Sequence, residues 1–181
     1  MSRQTGLTLI ELMIGVAIVA ILLTVGAPAI QSVLEQNKVI ATVNDISNAA
    51  RTARFTAIDT EETTLVCPSA DYKSCSGDWR QAKIVFVDSN GNGSRDDAEP
   101  LISSSDPVSS GVNISGHTGA LVFSPDGSVS NAVTIKLCPA SGDAKSASAV
   151  LISLYGRVAV AVDNSGNGIK EDLAGADLTC S

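Results

Sequence analysis

The sequence is short of aromatic side chains and of positive charge. Trp, Tyr and Phe make up 3% of the 181 residues, and 12 Lys and Arg stand against 19 Asp and Glu, a formal net charge of −7. A nucleic-acid backbone or an anionic membrane surface must be met by positive charge, and single strands are bound by stacking aromatic rings. These shortages disfavour nucleic acid as a partner. The length predicts one compact domain with an aliphatic core.

Catalytic motifs are also missing from the sequence. It contains no G-x-S-x-G elbow, no H-E-x-x-H pair and no phosphate-binding or dinucleotide-binding fingerprint. The sole histidine, His117, lies in a Ser-Gly stretch, which predicts a solvated loop residue rather than a base. The sequence therefore predicts a protein that is not an enzyme and has no cofactor.

A long apolar run is present near the N-terminus. Between Arg3 and Glu35 the only ionisable side chain is Glu11, and residues 7–30 are otherwise almost wholly apolar. At about 1.5 Å per residue, a helix of this length crosses a hydrocarbon core about 30 Å thick. A cleaved secretory signal peptide is the alternative, because residues 27–29 (Ala-Pro-Ala) imitate a cleavage site. The length of the run and its early acid oppose that interpretation.

Placing the charge of Glu11 within an apolar segment costs free energy. A charged side chain within a membrane costs at least about 2.5 kcal/mol, so an acid there indicates a functional site with a partner. The alternative is that Glu11 extends to the lipid headgroups from the first turn of the helix.

The residues around Glu11 read Gly6-Leu7-Thr8-Leu9-Ile10-Glu11, after a short polar leader. This stretch resembles the type III signal sequence of the type IV pilin and pseudopilin family. The resemblance implies that a prepilin peptidase cuts after Gly6 and methylates Leu7, where the family usually has Phe. It also implies that Glu11 pairs with the terminal amine of a neighbouring subunit. Pro28 falls where many members have a proline that kinks the helix.

Helical patterning resumes directly after Pro28. Apolar residues recur at spacings of four and three, which predicts an amphipathic helix that continues to about Ile58; they are Val39, Val43, Ile46, Ala50 and Ala53. Proline removes one backbone donor, so we expect Pro28 to kink or loosen this helix without ending it.

The rest of the sequence has a β pattern. Eight short strands are separated by Gly, Ser, Asn, Asp and Pro, which predicts antiparallel pairing; they are 64–67, 82–88, 101–102, 112–114, 120–123, 133–138, 150–154 and 158–162. Residues 103–110 and 140–148 are predicted loops. The predicted fold is α+β and pilin-like, a long N-terminal helix packed on an antiparallel β-sheet head. Its segments are a cleaved leader (1–6), a transmembrane or filament-core helix (7–30), an amphipathic continuation (31–58) and a β-rich periplasmic head (59–181).

Four cysteines follow the apolar run. Zinc is disfavoured because there is no C-x-x-C pair and His117 has no ligand partner at a useful spacing. Of the three possible disulfide connectivities, the sequence favours a local pair, Cys67 with Cys75, which leaves Cys138 with Cys180. Disulfides require an oxidising compartment, and the periplasm of a Gram-negative cell is one.

Residues 88–99 match the calcium-loop pattern D-x-[DN]-x-[DN]-G-x5-E, with oxygen ligands at Asp88, Asn90, Asn92 and Glu99. A strand precedes this loop where an EF-hand has a helix. The alternative is a β-hairpin tip, whose Asn-Gly steps supply the positive φ of a tight turn. A second segment from Asp163 begins in the same way but has Ala174 where the last acid should be.

The same region resembles a stretch typical of GspH/FimT-like minor pilins. The matching positions are Trp79, the strand 83–87, Asp88, the Asn-Gly-Asn-Gly of residues 90–93, Asp96 or Asp97, Glu99 and Leu101. In that family the stretch is chiefly a hairpin feature, which favours the hairpin-tip interpretation over calcium.

The two resemblances together imply a minor pilin or pseudopilin, a structural subunit that primes or caps a type IV pilus or a type II secretion pseudopilus. The implied partners are the prepilin peptidase, other minor and major pilins or pseudopilins, and the inner-membrane assembly platform. The implied location is a single-pass inner-membrane protein with a periplasmic head, extracted into the filament.

Three other functions are alternatives. A DNA-capturing minor pilin is one, because residues 156–159 (Gly-Arg-Val-Ala) retain one arginine of a G-R-x-R element found in some FimT-like relatives. The others are a membrane-anchored periplasmic enzyme and a calcium-binding protein.

Overall fold

A computed structural model describes Gly6 and residues 8–180, apart from the side chains of residues 25–29. The chain divides into two compact units, Met1–Leu34 and Glu35–Ser181. Helix α1 (Leu9–Thr60) has 52 residues. Eight strands follow it: β1 (Thr64–Ser69), β2 (Ala82–Val87), β3 (Leu101–Ser105), β4 (Val112–Ser115), β5 (Leu121–Phe123), β6 (Val133–Pro139), β7 (Ser148–Ile152) and β8 (Val158–Val160).

Helix α1 begins and ends at residues whose local chemistry explains its limits. The hydroxyl of Thr8 accepts a hydrogen bond from the Glu11 backbone N–H at 3.3 Å, which satisfies one of the free donors of the first turn. Glu61, directly after the helix, has φ of 56°, the left-handed conformation that terminates helices. The predicted continuous helix is confirmed, and Pro28 does not end it.

In the first unit, every side chain from Thr8 to Thr24 is exposed. The sequence predicts that this part of the chain crosses a membrane. Within the residues that the structure describes, no helix is both long enough and apolar enough to do so. The membrane span therefore stays a prediction.

The strands form two antiparallel sheets of four strands each, in the orders β3-β2-β1-β5 and β4-β6-β7-β8. This confirms the predicted α+β class and all eight predicted strands, with ends that differ by a few residues. One expectation is corrected. Residues 103–105 were expected in a loop but complete β3, because each serine pairs with a residue of β2 in a backbone ladder that requires no apolar side chain. In the loop predicted at 140–148, Ala144–Ser146 forms one 3-10 turn capped by Asp143, and Ser148 begins β7.

The main core lies between the second half of α1 and both sheets. The apolar stripe of α1 is almost fully buried, with Val39, Ile46, Ala50, Ala53 and Ala57 at 0% exposure. Side chains of both sheets complete this cluster, among them Val66, Val85, Phe123, Ile135 and Val150. The apolar face of α1 that the periodicity predicts is thus the face that packs against both sheets.

Both disulfides have the predicted pairing. Cys67 and Cys75 are joined with Cα atoms 5.5 Å apart, and Cys138 and Cys180 with Cα atoms 5.7 Å apart. Cys67 packs in a small cluster on one face of the first sheet, with Leu65, Ile84 and Phe86. Cys138 packs on the second sheet with Ala149, Ala161 and Leu178, so the second bond fastens the C-terminal segment over that sheet.

Candidate functional site

The predicted processing and assembly residues lie at the start of α1. Gly6 is exposed just before the helix, and Leu7 lies outside the described residues. Thr8 and Glu11 occupy the first and last positions of a T-x-x-E capping pattern. Sequence reasoning assigned Glu11 only to assembly and missed this cap, although the T-x-x-E spacing signals it. The backbone N–H of Glu11 makes this bond, and the carboxylate has no hydrogen-bond or ion-pair partner among the described residues.

A shallow hollow of about 380 Å³ lies beside Glu11 on one face of the helix, lined by Glu11, Leu12, Gly15, Val16 and Val19. Gly15 contributes no side chain to it, and nothing lies within 4 Å of the position where a Cβ would stand. A carboxylate at the edge of an otherwise apolar hollow can hold a cation whose remaining surface is apolar.

The four predicted calcium ligands are brought together in the loop between β2 and β3, where they bond to the loop itself. The Asp88 carboxylate accepts hydrogen bonds from the backbone N–H groups of Asn92 at 3.1 Å and Gly93 at 3.0 Å. The carboxylate of Glu99 accepts from the backbone N–H groups of Ser89 and Asp96, each at 3.0 Å. Both acids are 5% exposed. Two buried carboxylates therefore close the loop from its two ends.

The asparagines complete this closure. The side-chain amides of Asn90 and Asn92 donate to Asp96 at 2.6 and 3.0 Å, and Gly91 and Gly93 have φ of 73° and 74°. In the described part of the chain, no group of three or more His, Cys, Asp or Glu side chains is arranged to hold a metal ion. The oxygens face backbone donors, so the geometry favours a hairpin tip over a calcium site.

A second loop of the same design follows β8. Asp163 accepts from the backbone N–H groups of Gly166 at 2.7 Å and Gly168 at 2.8 Å, as Asp88 does in the first loop. Glu171 accepts from those of Asn164 at 2.8 Å and Ser165 at 2.9 Å. Glu171, and not the residue at 174, is therefore the counterpart of Glu99. Sequence reasoning missed Glu171 because it looked for the last acid at the same spacing from Asp163 as Glu99 has from Asp88.

These backbone bonds shift the acids toward the charged form. Donation by Gly168 is the main cause that lowers the pKa of Asp163, and donation by Asn164, then Ser165, lowers the pKa of Glu171. An amide N–H stabilises a carboxylate and not a carboxylic acid. The second loop thus depends on ionised acids.

His117 packs against Trp79, with ring centroids 6.0 Å apart. This corrects the expectation of a solvated loop residue. Burial lowers the pKa of His117, which favours its neutral form. Its Nε2 and the Trp79 Nε1 are buried without a hydrogen-bond partner in the part of the chain that the structure describes. The pair is thus a packing contact between two partly or fully buried rings.

The residues of the G-R-x-R resemblance lie in the tight turn between β7 and β8. Gly156 has φ of 69° and donates its N–H to Ser153 O at 2.8 Å. Arg157, directly after it, is exposed. The turn packs on α1, where Arg54 Nε donates to the carbonyl of Gly127 at 3.2 Å. A Cβ at position 156 would collide with that same carbonyl.

A helix with an exposed apolar first part, one early acid and a second part built into an antiparallel β head defines a pilin-like subunit. Residues 42–156 match the family described as type II transport protein GspH. Residues 1–27 match the prokaryotic N-terminal methylation motif. The first match spans more than half of the chain, and the protein belongs to the GspH family.

Solved structures share this fold. A crystal structure of the type IV minor pilin FimU of Pseudomonas aeruginosa strain PAO1 is similar with a TM-score of 0.57 and 15% identity, over 81% of this chain and 98% of that one. The minor pseudopilin EpsH of the type 2 secretion system of Vibrio cholerae is similar with a TM-score of 0.50 and 11% identity, over 68% and 95%. No curated protein sequence is significantly similar to the chain.

Proposed function

We propose that the chain is a minor subunit that primes or caps a short filament, either a type IV pilus or a type II secretion pseudopilus. One observation carries the proposal: the exposed apolar helix with Glu11 at its start lies in a methylation motif and continues into a GspH head. Apolar side chains that are exposed on all sides of a helical segment require either lipid or other helices around them.

Glu11 is the residue that joins one subunit to the next in this proposal. Cleavage after Gly6 makes the amine of Leu7 a cation. The Glu11 carboxylate has no bonding partner among the described residues, and the hollow beside Gly15 leaves room for a neighbouring chain terminus. In an apolar filament core, a charge pair of this kind fixes how far one helix is displaced along the next.

The proposed location follows from the motif and the cysteines. The prepilin peptidase and the assembly platform act at the inner membrane, where the apolar helix would reside before extraction into the filament. The head would lie in the periplasm, because its two disulfides are stable only in an oxidising compartment.

The first experiment is mass analysis of the N-terminus of the protein from native membranes. We expect a mature chain that starts at methylated Leu7. A chain that starts after Ala29 would identify an ordinary signal peptidase site, and the assembly role of the helix would have to be abandoned.

The second experiment substitutes the acid itself. We expect Glu11→Gln and Glu11→Ala to enter membranes normally, because removing a charge eases transfer into lipid. Neither should co-purify with other filament subunits, because breaking a buried pair costs about 3 to 5 kcal/mol. Both leave the helix cap intact, since the backbone N–H bonds to Thr8.

The matched control is Glu35→Gln, at the next acid along helix α1. Glu35 accepts a hydrogen bond from the Ser141 hydroxyl at 2.6 Å, which glutamine can also accept. This variant should co-purify normally. Normal recovery of both Glu11 variants would show that the carboxylate only extends to the headgroups.

A further inference from the structure

The turn between β7 and β8 exposes two large apolar side chains. Leu154 is 54% exposed and Tyr155 is 83% exposed. The turn requires Gly156, whose φ is positive, but its closing bond does not require Leu or Tyr at the tip. Turn tips are usually polar. In a chain with 3% aromatic residues, a tyrosine in this position indicates a contact with another molecule.

A second pair of exposed apolar side chains lies on the adjoining part of α1. Phe55 is 70% exposed and Ile58 is 45% exposed. Two contacts place this face of the helix beside the turn. A Cβ at Gly127 would meet the Ile58 side chain at 2.6 Å, and one at Gly156 would meet Arg54 Nε at 3.0 Å. Ile58 therefore lies beside the turn, and Phe55 is the exposed residue three positions before it on α1. We call Leu154, Tyr155, Phe55 and Ile58 the tip patch.

Arginines border the tip patch. Arg51 is exposed one turn before Phe55, and Arg157 is exposed beside the turn. The ion pairs formed among the described residues are Lys73–Asp97, Arg80–Asp78 and Lys83–Asp45, so these arginines have no carboxylate partner.

Three acids also stand near the patch: Asp59, Glu61 and Asp126. Asp126 already accepts bonds from the backbone N–H and the hydroxyl of Ser128, at 2.9 and 2.6 Å. That leaves the exposed Asp59 and Glu61 against three arginines, Arg51, Arg54 and Arg157. The border therefore has one more arginine than unbonded acids, although the whole chain carries a formal charge of −7.

We propose that the tip patch binds the head of a neighbouring filament subunit, through an apolar surface bordered by carboxylates. Exposed Tyr, Phe and Arg around an apolar centre are the composition of binding hot spots between proteins. A nucleic acid would need a broad basic surface, which three arginines in an acidic chain do not supply. The inference rests on the proposed function, and it means that another subunit sits against this end of α1.

The test uses the full-length protein in its native membranes. Tyr155 is replaced by the photo-crosslinker p-benzoylphenylalanine, and the control position is Leu173, an apolar residue that is 45% exposed in another loop. We expect position 155, and not position 173, to crosslink to a protein whose own N-terminus carries the methylation motif. In parallel, the double substitution Phe55→Ser with Tyr155→Ser should reduce co-purification with other filament subunits at least tenfold. Leu173→Ser should leave it unchanged.

The outcomes separate this inference from the proposed function. If the wild-type protein co-purifies with filament subunits and the double variant does so equally, the tip patch does not bind another subunit. The inference is then overturned, and the proposed function stands. If the wild type recovers no filament subunit, the proposed function fails and the inference with it. If position 155 gives no protein crosslink while Arg157→Glu abolishes retardation of duplex DNA, the patch is a nucleic-acid site and the inference is overturned.

Discussion

Glu99 and Glu171 show how single buried carboxylates determine the shape of whole loops. Each accepts two backbone N–H groups, and each lies opposite an aspartate that does the same. The asparagines and glycines of the sequence pattern supply the turn geometry, but the glutamates close it. The motif that suggests calcium is thus satisfied by the protein's own amides.

We expect Glu171→Gln to lower the melting temperature of the head at neutral pH and to lower it by less at pH 3. The bonds that lower the pKa of Glu171 below its ordinary 4.5 stabilise the fold above that pH. This stabilisation is lost as the pH falls through the lowered pKa, since the acid then protonates. Thermal unfolding at several pH values measures this, with Glu61→Gln at an exposed acid as control. A difference that persisted unchanged at pH 3 would contradict the explanation.

His117 gives a separate pH dependence at higher pH. Burial lowers its pKa below the ordinary 6.5, so the unfolded chain binds the proton more readily than the folded one. The head should therefore be less stable at pH 5 than at pH 7, and His117→Gln should reduce this dependence. As the chain has one histidine, a single imidazole resonance reports the titration by NMR. A midpoint at or above 6.5 would contradict the burial argument.

The secondary-structure elements were largely predictable, and the exceptions have physical causes. Strands are marked by apolar runs between turn residues, so all eight were found. β3 was predicted too short because Ser103–Ser105 contributes backbone bonds at a sheet edge, for which composition gives no signal. The role of Glu171 was missed because a loop can be closed at more than one spacing. Burial of Lys83 depends on a partner in a distant element, which local sequence does not reveal.

The partner of Lys83 is Asp45, and this ion pair links α1 to the first sheet. Lys83 on β2 has a side chain 1% exposed, and its ammonium lies 3.0 Å from the carboxylate of Asp45, which is 36% exposed. A buried ammonium is costly unless it is paired. The pair therefore fixes which face of the helix meets the sheet.

We expect Asp45→Ala to destabilise the head by about 1 to 3 kcal/mol, less than for a fully buried pair because solvent screens Asp45. Lys83→Met should cost less, since it removes the charge and keeps the packing. The double variant should recover most of the loss caused by Asp45→Ala. Urea denaturation of all four proteins tests this. Equal, additive losses would show that the two side chains do not interact.

At the scale of the whole molecule, the two units differ in what they need from their surroundings. The unit Glu35–Ser181 contains the core, both sheets and both disulfides. The unit Met1–Leu34 exposes its apolar side chains from Leu9 to Leu23. Folding of the head therefore depends on the second unit, while the proposed contacts of the exposed apolar helix with lipid or other helices belong to the first.

We expect residues 35–181, produced without the first unit in an oxidising compartment, to be soluble, monomeric and cooperatively folded. The buried stripe of α1 begins at Val39, so this truncation removes none of the core. Circular dichroism and size-exclusion chromatography measure the outcome. Aggregation of the oxidised fragment would show that the head requires the first part of the helix for its own stability.

The disulfide arrangement has a consequence for biogenesis. Each bond joins two cysteines that are consecutive along the chain, with separations of 8 and 42 residues. When a chain is exported from its N-terminus, Cys67 and Cys75 reach the oxidising compartment close together. Cys138 arrives later and stays unpaired until Cys180 has been exported. An oxidase that couples thiols in order of their emergence thus makes the native pairs directly. Isomerase repair is then unnecessary, and the second bond closes only once the last strand and the loop after it have been delivered.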